Sequence, residues 1–168
     1  MADSAPNTKK LVIGWFSFTC CEDSTILFTE LLNDHLDLWK NLIEFRHLKV
    51  LKTANSLEGL DVAFIEGAIS SPKQAAEAQK IRDNAKIVVA VGACAVTGLP
   101  SASRNDLVDK ETNYKLYWYF SHFNYSDKVQ KLSDVIKVDD QVNGCPMNTE
   151  VFLSTLNRYL KQFGVIPN

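Results

Sequence analysis

The chain has 168 residues, 46% of them apolar, enough for one compact domain with a real core. Its formal net charge of −2, with the two signs interspersed, leaves no electrostatic footprint for nucleic acid or an anionic membrane surface. No apolar run reaches the roughly 18 residues of a membrane span, and residues 1–10 hold neither a hydrophobic signal core nor a twin-arginine pair, so a cytoplasmic protein with reduced thiols and no direct membrane insertion is expected.

Residues 1–9 read as a flexible tail ahead of a single domain over 10–168. Residues 9–18 predict a first strand, because Leu11, Val12 and Ile13 form the continuous apolar run of a strand buried on both faces. A helix follows, with Asp23 or Ser24 as its N-cap and Phe28, Leu31, Leu32, Leu36 and Trp39 at helical spacing. Residues 43–50 predict a second strand and residues 62–69 a third, ending at Gly67. Ser71, Pro72 and Gln74 then carry the signature of a helix start: N-cap serine, proline at the first helical position and a glutamine closing a capping box. Residues 86–93 (KIVVAVGA) give the clearest strand, and residues 135–138 a short last one. Asn148 is positioned to cap a final helix, with Glu150 in its first turn, and Gly164 to stop it. Alternating strands and helices imply an α/β, flavodoxin-like fold: a parallel sheet of about five strands with helices on both faces. In such sheets ligands gather beyond the carboxyl ends of the strands.

The four cysteines fall at those ends. Cys20 and Cys21 follow the first strand, Cys94 the KIVVAVGA strand, and Cys145 the last strand, so three loops distant in sequence converge on one edge. Ordinary buried thiols, a structural zinc and an iron–sulfur cluster are the available readings. Zinc motifs space their cysteines by two to four residues, which an adjacent pair fits poorly.

Three segments carry a resemblance. GWFSFTCCEDS, VGACAVTGLPSASRN and DDQVNGCPMN, in that order, resemble the cluster loops of nickel–iron hydrogenase small subunits, and DVAFIEGAI resembles another segment of that family. The similarity covers residues 10–163. It implies one [4Fe–4S] cluster, the proximal one, on Cys20, Cys21, Cys94 and Cys145. It further implies a large nickel–iron catalytic subunit as partner and a further flavin or iron–sulfur electron-transfer subunit. The chain would be an electron relay of the short cytoplasmic type, with no bond-making site of its own. A related module is the cluster-bearing subunit of respiratory complex I or of membrane hydrogenases. Two departures stand out: Cys20 and Cys21 are adjacent, as in the complex I branch, with Phe18 at the family's usual first position, and Met147 replaces a second proline.

Glu22 beside the cysteines, Glu66 at a strand end and Arg104 in the second loop are candidates for the cluster environment or the partner interface. Glu22 and Asp23 read equally as carboxylates complementing a helix dipole. His35, His47 and His122 read as core or surface histidines. Residues 114–125 hold seven aromatics in twelve positions, which suits a docking surface. A flavin-binding alternative would use Ser17, Thr19, Ser24 and Thr25 as a phosphate loop, although that loop lacks glycine.

Overall fold

The computed structural model describes residues 9–107 and 113–167; the expected tail, Lys9 apart, lies outside them. Five strands, β1 (Leu11–Ser17), β2 (Ile43–Leu48), β3 (Leu60–Glu66), β4 (Ala85–Val91) and β5 (Asp140–Val142), pair in parallel in the order β2-β1-β3-β4-β5. This is the flavodoxin-like order expected from alternating elements.

The helices are α1 (Asp23–Leu42), α2 (Pro72–Asn84), α3 (Gly92–Thr97), α4 (Tyr114–His122) and α5 (Thr149–Gln162). Alternation along the strands sends neighbouring side chains to opposite faces. Leu11, Ile13, Trp15, Val62, Phe64, Val89 and Val91 pack with α1 and α5. Ala63, Ile65, Val88 and Ala90 pack on the other face with Ala78 and Ile81 of α2. Trp15 ties β1 to α1, stacking on Phe28 at 4.2 Å while its indole N–H donates to Thr25 Oγ1 at 2.8 Å.

Several expected boundaries move, each for a local reason. The strand of residues 86–93 stops at Val91, because Gly92 takes φ 77° and starts α3. The third strand runs from Leu60 to Glu66 rather than over 62–69, and Gly67 turns the chain at φ 93°. The second ends at Leu48, where the amides of Leu51 and Lys52 turn back to the Leu48 carbonyl. Residues 135–138 are not a strand: the amides of Val135 and Ile136 donate locally to Leu132 O, each at 3.1 Å. Pairing with β4 begins instead at Asp140, beyond Asp139, whose amide donates to Val88 O and whose carboxylate accepts from Val88 N–H, both at 2.9 Å.

The caps of the later helices follow expectation. Ser71 and Asn148 side chains accept from Gln74 N–H and Val151 N–H, and Gly164 ends α5 at φ 68°. Gln74 reaches one residue past the usual capping-box partner, accepting from Ser70 N–H at 2.8 Å. In α1, Leu36 faces solvent and the remaining stripe is buried.

Candidate metal centre

The chain leaves β1 and runs against the loop after β3. Phe18 N–H donates to Glu66 O, and Thr19 and Ala68 exchange main-chain bonds at 3.0 Å. Thr19 Oγ1 adds contacts to Ser70 Oγ at 2.6 Å and to the Gln74 amide. This zipper presents Cys20 and Cys21. The turn into α1 falls one residue later, at Glu22, which sits in the left-handed region at φ 65°.

Glu22 is therefore the N-cap residue of α1, not Asp23 or Ser24, and its side chain makes no capping bond. The cap comes from another strand. Glu66, only 3% exposed, accepts from Ser24 N–H and Thr25 N–H at 3.0 Å each, and from the Thr25 hydroxyl at 2.6 Å. A buried carboxylate on the positive end of a helix answers the exposed first-turn amides and the dipole together.

The second loop is built on glycines. Gly92 at φ 77° lets Ala93 N–H reach Gly144 O at 2.6 Å; a Cβ on Gly92 would stand 2.9 Å from Ser24 Oγ. Cys94 follows on α3, which Gly98 ends at φ 85°. The third loop has Gly144 at φ 130°, where a Cβ would meet the Pro146 carbonyl oxygen at 2.5 Å. Its neighbours anchor it: Met147 N–H donates to Ser24 Oγ at 3.2 Å and the Met147 side chain is buried in the core. The position that departs from the resembled pattern thus serves packing.

Cys20, Cys21, Cys94 and Cys145 all line one small pocket, together with Ser24, Glu66 and the Gly92 and Gly144 main chain. Cys94 is buried, Cys20 half-buried, and Cys21 and Cys145 exposed. Burial pushes the Cys20 thiol up to about 11, with Ser17 opposing the shift and Glu66 adding to it. For Cys21 the largest influence, the Asp23 amide, lowers the value, but burial and the Asp23 carboxylate outweigh it and the thiol is raised. Both would have to lose a proton to bind metal. Among the described residues, no three histidine, cysteine or acidic side chains close around a point suited to a single ion. A donor set of four thiols around a wider pocket fits a multi-iron cluster, whose corners take one thiolate each.

Other sequence candidates lie apart. Glu22 lines a neighbouring cleft with Trp15, His47 and Glu77, and accepts from Ser17 Oγ at 3.2 Å. Arg104 does not line the cysteine pocket. It donates to Ser126 O at 2.9 Å and Ser70 O at 3.4 Å, and its guanidinium lies 4.3 Å from the Phe120 ring centre. It fastens the end of the α4 segment to the loop beside Thr19. Of the aromatic stretch only Phe120 is buried; Tyr114, Trp118, Tyr119 and Phe123 stand more than half exposed. His47 is buried and stacks on Phe16, and His35 stacks on Trp39. Ser101, whose hydroxyl contacts Cys94 Sγ at 3.2 Å, was not singled out from sequence, although it lies in the second resembled loop.

The hydroxyls of the supposed phosphate loop are spent internally. Ser17 turns to Glu22, Thr19 to Ser70 and Gln74, Ser24 to Met147, and Thr25 to Glu66 and Trp15. Glu66 also occupies the first-turn amides that would greet an anion.

A family model described as NADH ubiquinone oxidoreductase, 20 Kd subunit, matches residues 20–159. The G-type subunit of the F420-non-reducing hydrogenase of Methanothermobacter marburgensis is 26% identical over 168 aligned residues, covering 91% of this chain and 54% of that protein. The delta subunit of the NAD-reducing hydrogenase HoxS of Cupriavidus necator is 26% identical, covering 57% of this chain and 53% of its own length. The chain spans about half the length of the curated relatives it matches. Among solved structures, a chain of the NAD+-reducing [NiFe]-hydrogenase in the H2-reduced state superposes with a TM-score of 0.78 at 24% identity, covering 95% of each chain. A chain of the membrane-bound sulfane sulfur reductase, an archaeal respiratory membrane complex, shares the fold more distantly, with a TM-score of 0.51 at 18% identity, covering 92% of this chain and 71% of its own.

Proposed function

The chain belongs to the NADH ubiquinone oxidoreductase 20 kDa subunit family, and we propose that within it the chain is the electron-transfer small subunit of a cytoplasmic [NiFe] hydrogenase. One observation carries this reading: four cysteines from three separate loops line a single pocket at the strand ends. On this reading Cys20, Cys21, Cys94 and Cys145 hold the proximal [4Fe–4S] cluster. When bound, that cluster supplies one-electron transfer between a large nickel–iron subunit and a downstream flavin or iron–sulfur subunit. The hydrogenase names of the relatives support the assignment, as do the three motifs in order.

The chain's own residues have defined tasks. Glu66 fixes the start of α1, and with it the Cys20–Cys21 turn, against β3. Gly92 and Gly144 let the other two loops close to main-chain contact. Cys21 and Cys145, being exposed, mark the side on which a partner would cover the site. The exposed aromatics of α4 extend the apolar area available for that partner. Residues 10–168 act as one unit in this proposal. Among the described residues no helix is long and apolar enough to cross a membrane.

A second reading, a complex I-like or membrane-hydrogenase cluster subunit, is favoured by the adjacent cysteines. Flavin binding is disfavoured by the spent hydroxyls and by the Glu66 carboxylate at the α1 amides.

The test is anaerobic affinity purification of the chain from its native host. A large subunit should co-purify, hydrogen should reduce a dye, and iron and sulfide should each approach about four per chain, the content of a cubane. Stoichiometric zinc without iron would defeat the cluster; a cluster without hydrogen-dependent dye reduction would favour the second reading.

A further inference from the structure

Ser101 opens the 3-10 helix Ser101–Leu107, which follows α3 and its Cys94. Its hydroxyl donates toward Cys94 Sγ at 3.2 Å and toward the main-chain oxygen of Thr19, the residue before Cys20, at 3.0 Å. One side chain therefore bridges two of the loops that carry the cysteines. Among the described residues this is the shortest hydrogen bond to a cysteine sulfur. Ser17 Oγ stands 3.6 Å from Cys20 Sγ and donates to Glu22 at 3.2 Å.

A serine hydroxyl has one proton to give, and both neighbours accept. Thr19 offers a neutral carbonyl. Cys94 offers a weak acceptor as a thiol and a charged one as a thiolate, and charge-assisted hydrogen bonds are roughly twice as strong as neutral ones. The proton thus serves Thr19 while the sulfur is protonated and turns to the sulfur once it carries negative charge. Cys94 is 6% exposed, so water competes little for that contact. Hydrogen bonds to ligand sulfurs are among the factors that set the reduction potential of an iron–sulfur centre. A donor favours the state with more negative charge on sulfur, the reduced one.

We propose that Ser101 is a positioning residue that orients Cys94 Sγ and raises the reduction potential of the centre held by the four cysteines. This rests on Cys94 being a ligand.

Ser101→Ala and Ser101→Thr, prepared anaerobically with the wild type, should be titrated against redox mediators while the paramagnetic signal of the reduced state is followed. The wild-type iron content tests the underlying reading separately: an iron-free wild type defeats the cluster assignment itself. With iron present, Ser101→Ala is expected to keep full iron and to shift its midpoint to more negative potential, while Ser101→Thr, which retains the hydroxyl, returns toward the wild type. An unshifted Ser101→Ala midpoint, or equal shifts in both variants, overturns the proposal. Should Ser101→Ala lose its iron, Ser101→Thr decides: full iron at the wild-type midpoint supports a role for the hydroxyl, and loss of iron overturns it.

Discussion

Glu66 and the cysteine pair divide the site's work at the level of single residues. The carboxylate is buried and accepts three hydrogen bonds from the first turn of α1. Hydrogen bonds to charged groups are worth about 1.5–3 kcal/mol each, and donors left unpaired in the interior cost a similar amount. Glu66→Ala should therefore lower stability by about 3 kcal/mol in anaerobic urea unfolding. Glu66→Gln, which keeps one acceptor oxygen, should lose less. Equal stability of wild type and Glu66→Ala would mean that α1 is capped in some other way. For the thiols, Cys20→Ser and Cys21→Ser made singly should each reduce iron content and alter the reduced-state spectrum. A variant with both unchanged would identify that cysteine as a bystander. Sequence made Glu66 visible as a carboxylate ending an apolar strand, but not as a cap, because its partners at Ser24 and Thr25 lie about 40 positions away and only the β1–β3 pairing brings them together.

Among the elements, the three cysteine loops depend on backbone that few residues adopt. Gly144 combines φ 130° with a space in which a Cβ would meet main-chain oxygen at 2.5 Å. Backbone strain of this kind costs about 1–3 kcal/mol. Gly144→Ala should fall in that range on unfolding and should lose iron along with it, since Cys145 is the next residue; a variant with full iron and unchanged stability would show the loop to be adaptable. Helix α4 behaves differently. Its rings face outward, so Trp118→Ser with Phe123→Ser should change stability by no more than about 0.5 kcal/mol each. If α4 meets the large subunit, the same pair should abolish co-purification; retention at wild-type yield would place the interface elsewhere. Local signals at Ser71, Asn148 and Gly164 revealed their caps correctly, because each cap is made within three residues of the chain. The last strand was misplaced because Val135 and Ile136 look like strand residues but give their amides to Leu132.

For the whole molecule, pH acts through groups outside the cysteine pocket. Burial holds the His47 imidazole below its ordinary value, against an opposing bond to Trp15 O. Below about pH 6.5 the unfolded chain then takes a proton that the native state refuses, so stability falls as pH drops through that range. Burial alone would raise Asp139 and Asp140. The Val88 amide and Arg82 outweigh it for Asp139, as Arg158 and Tyr159 do for Asp140, and both carboxyls end below the ordinary value. Their contribution is present above about pH 4 and is lost as pH falls through the depressed native values. The midpoint of anaerobic urea unfolding should decline in two stages on acidification, and His47→Gln should flatten the upper stage while Asp139→Asn flattens the lower. An upper stage unaltered in His47→Gln would assign it to other groups.

By itself the sequence determined the class of the fold. Apolar runs such as Leu11–Ser17 and Ala85–Val91 demand burial on two faces, and the helices between them demand parallel pairing. It also placed all four cysteines after strand ends. What it could not decide was which donors and acceptors meet across the sheet edge. That Glu66 caps α1, that Ser101 joins Cys94 to Thr19, and that Arg104 serves the aromatic segment rather than the pocket all depend on contacts between residues distant in the chain. Such pairings follow from how strands are ordered and twisted in space, and local pattern carries no record of them.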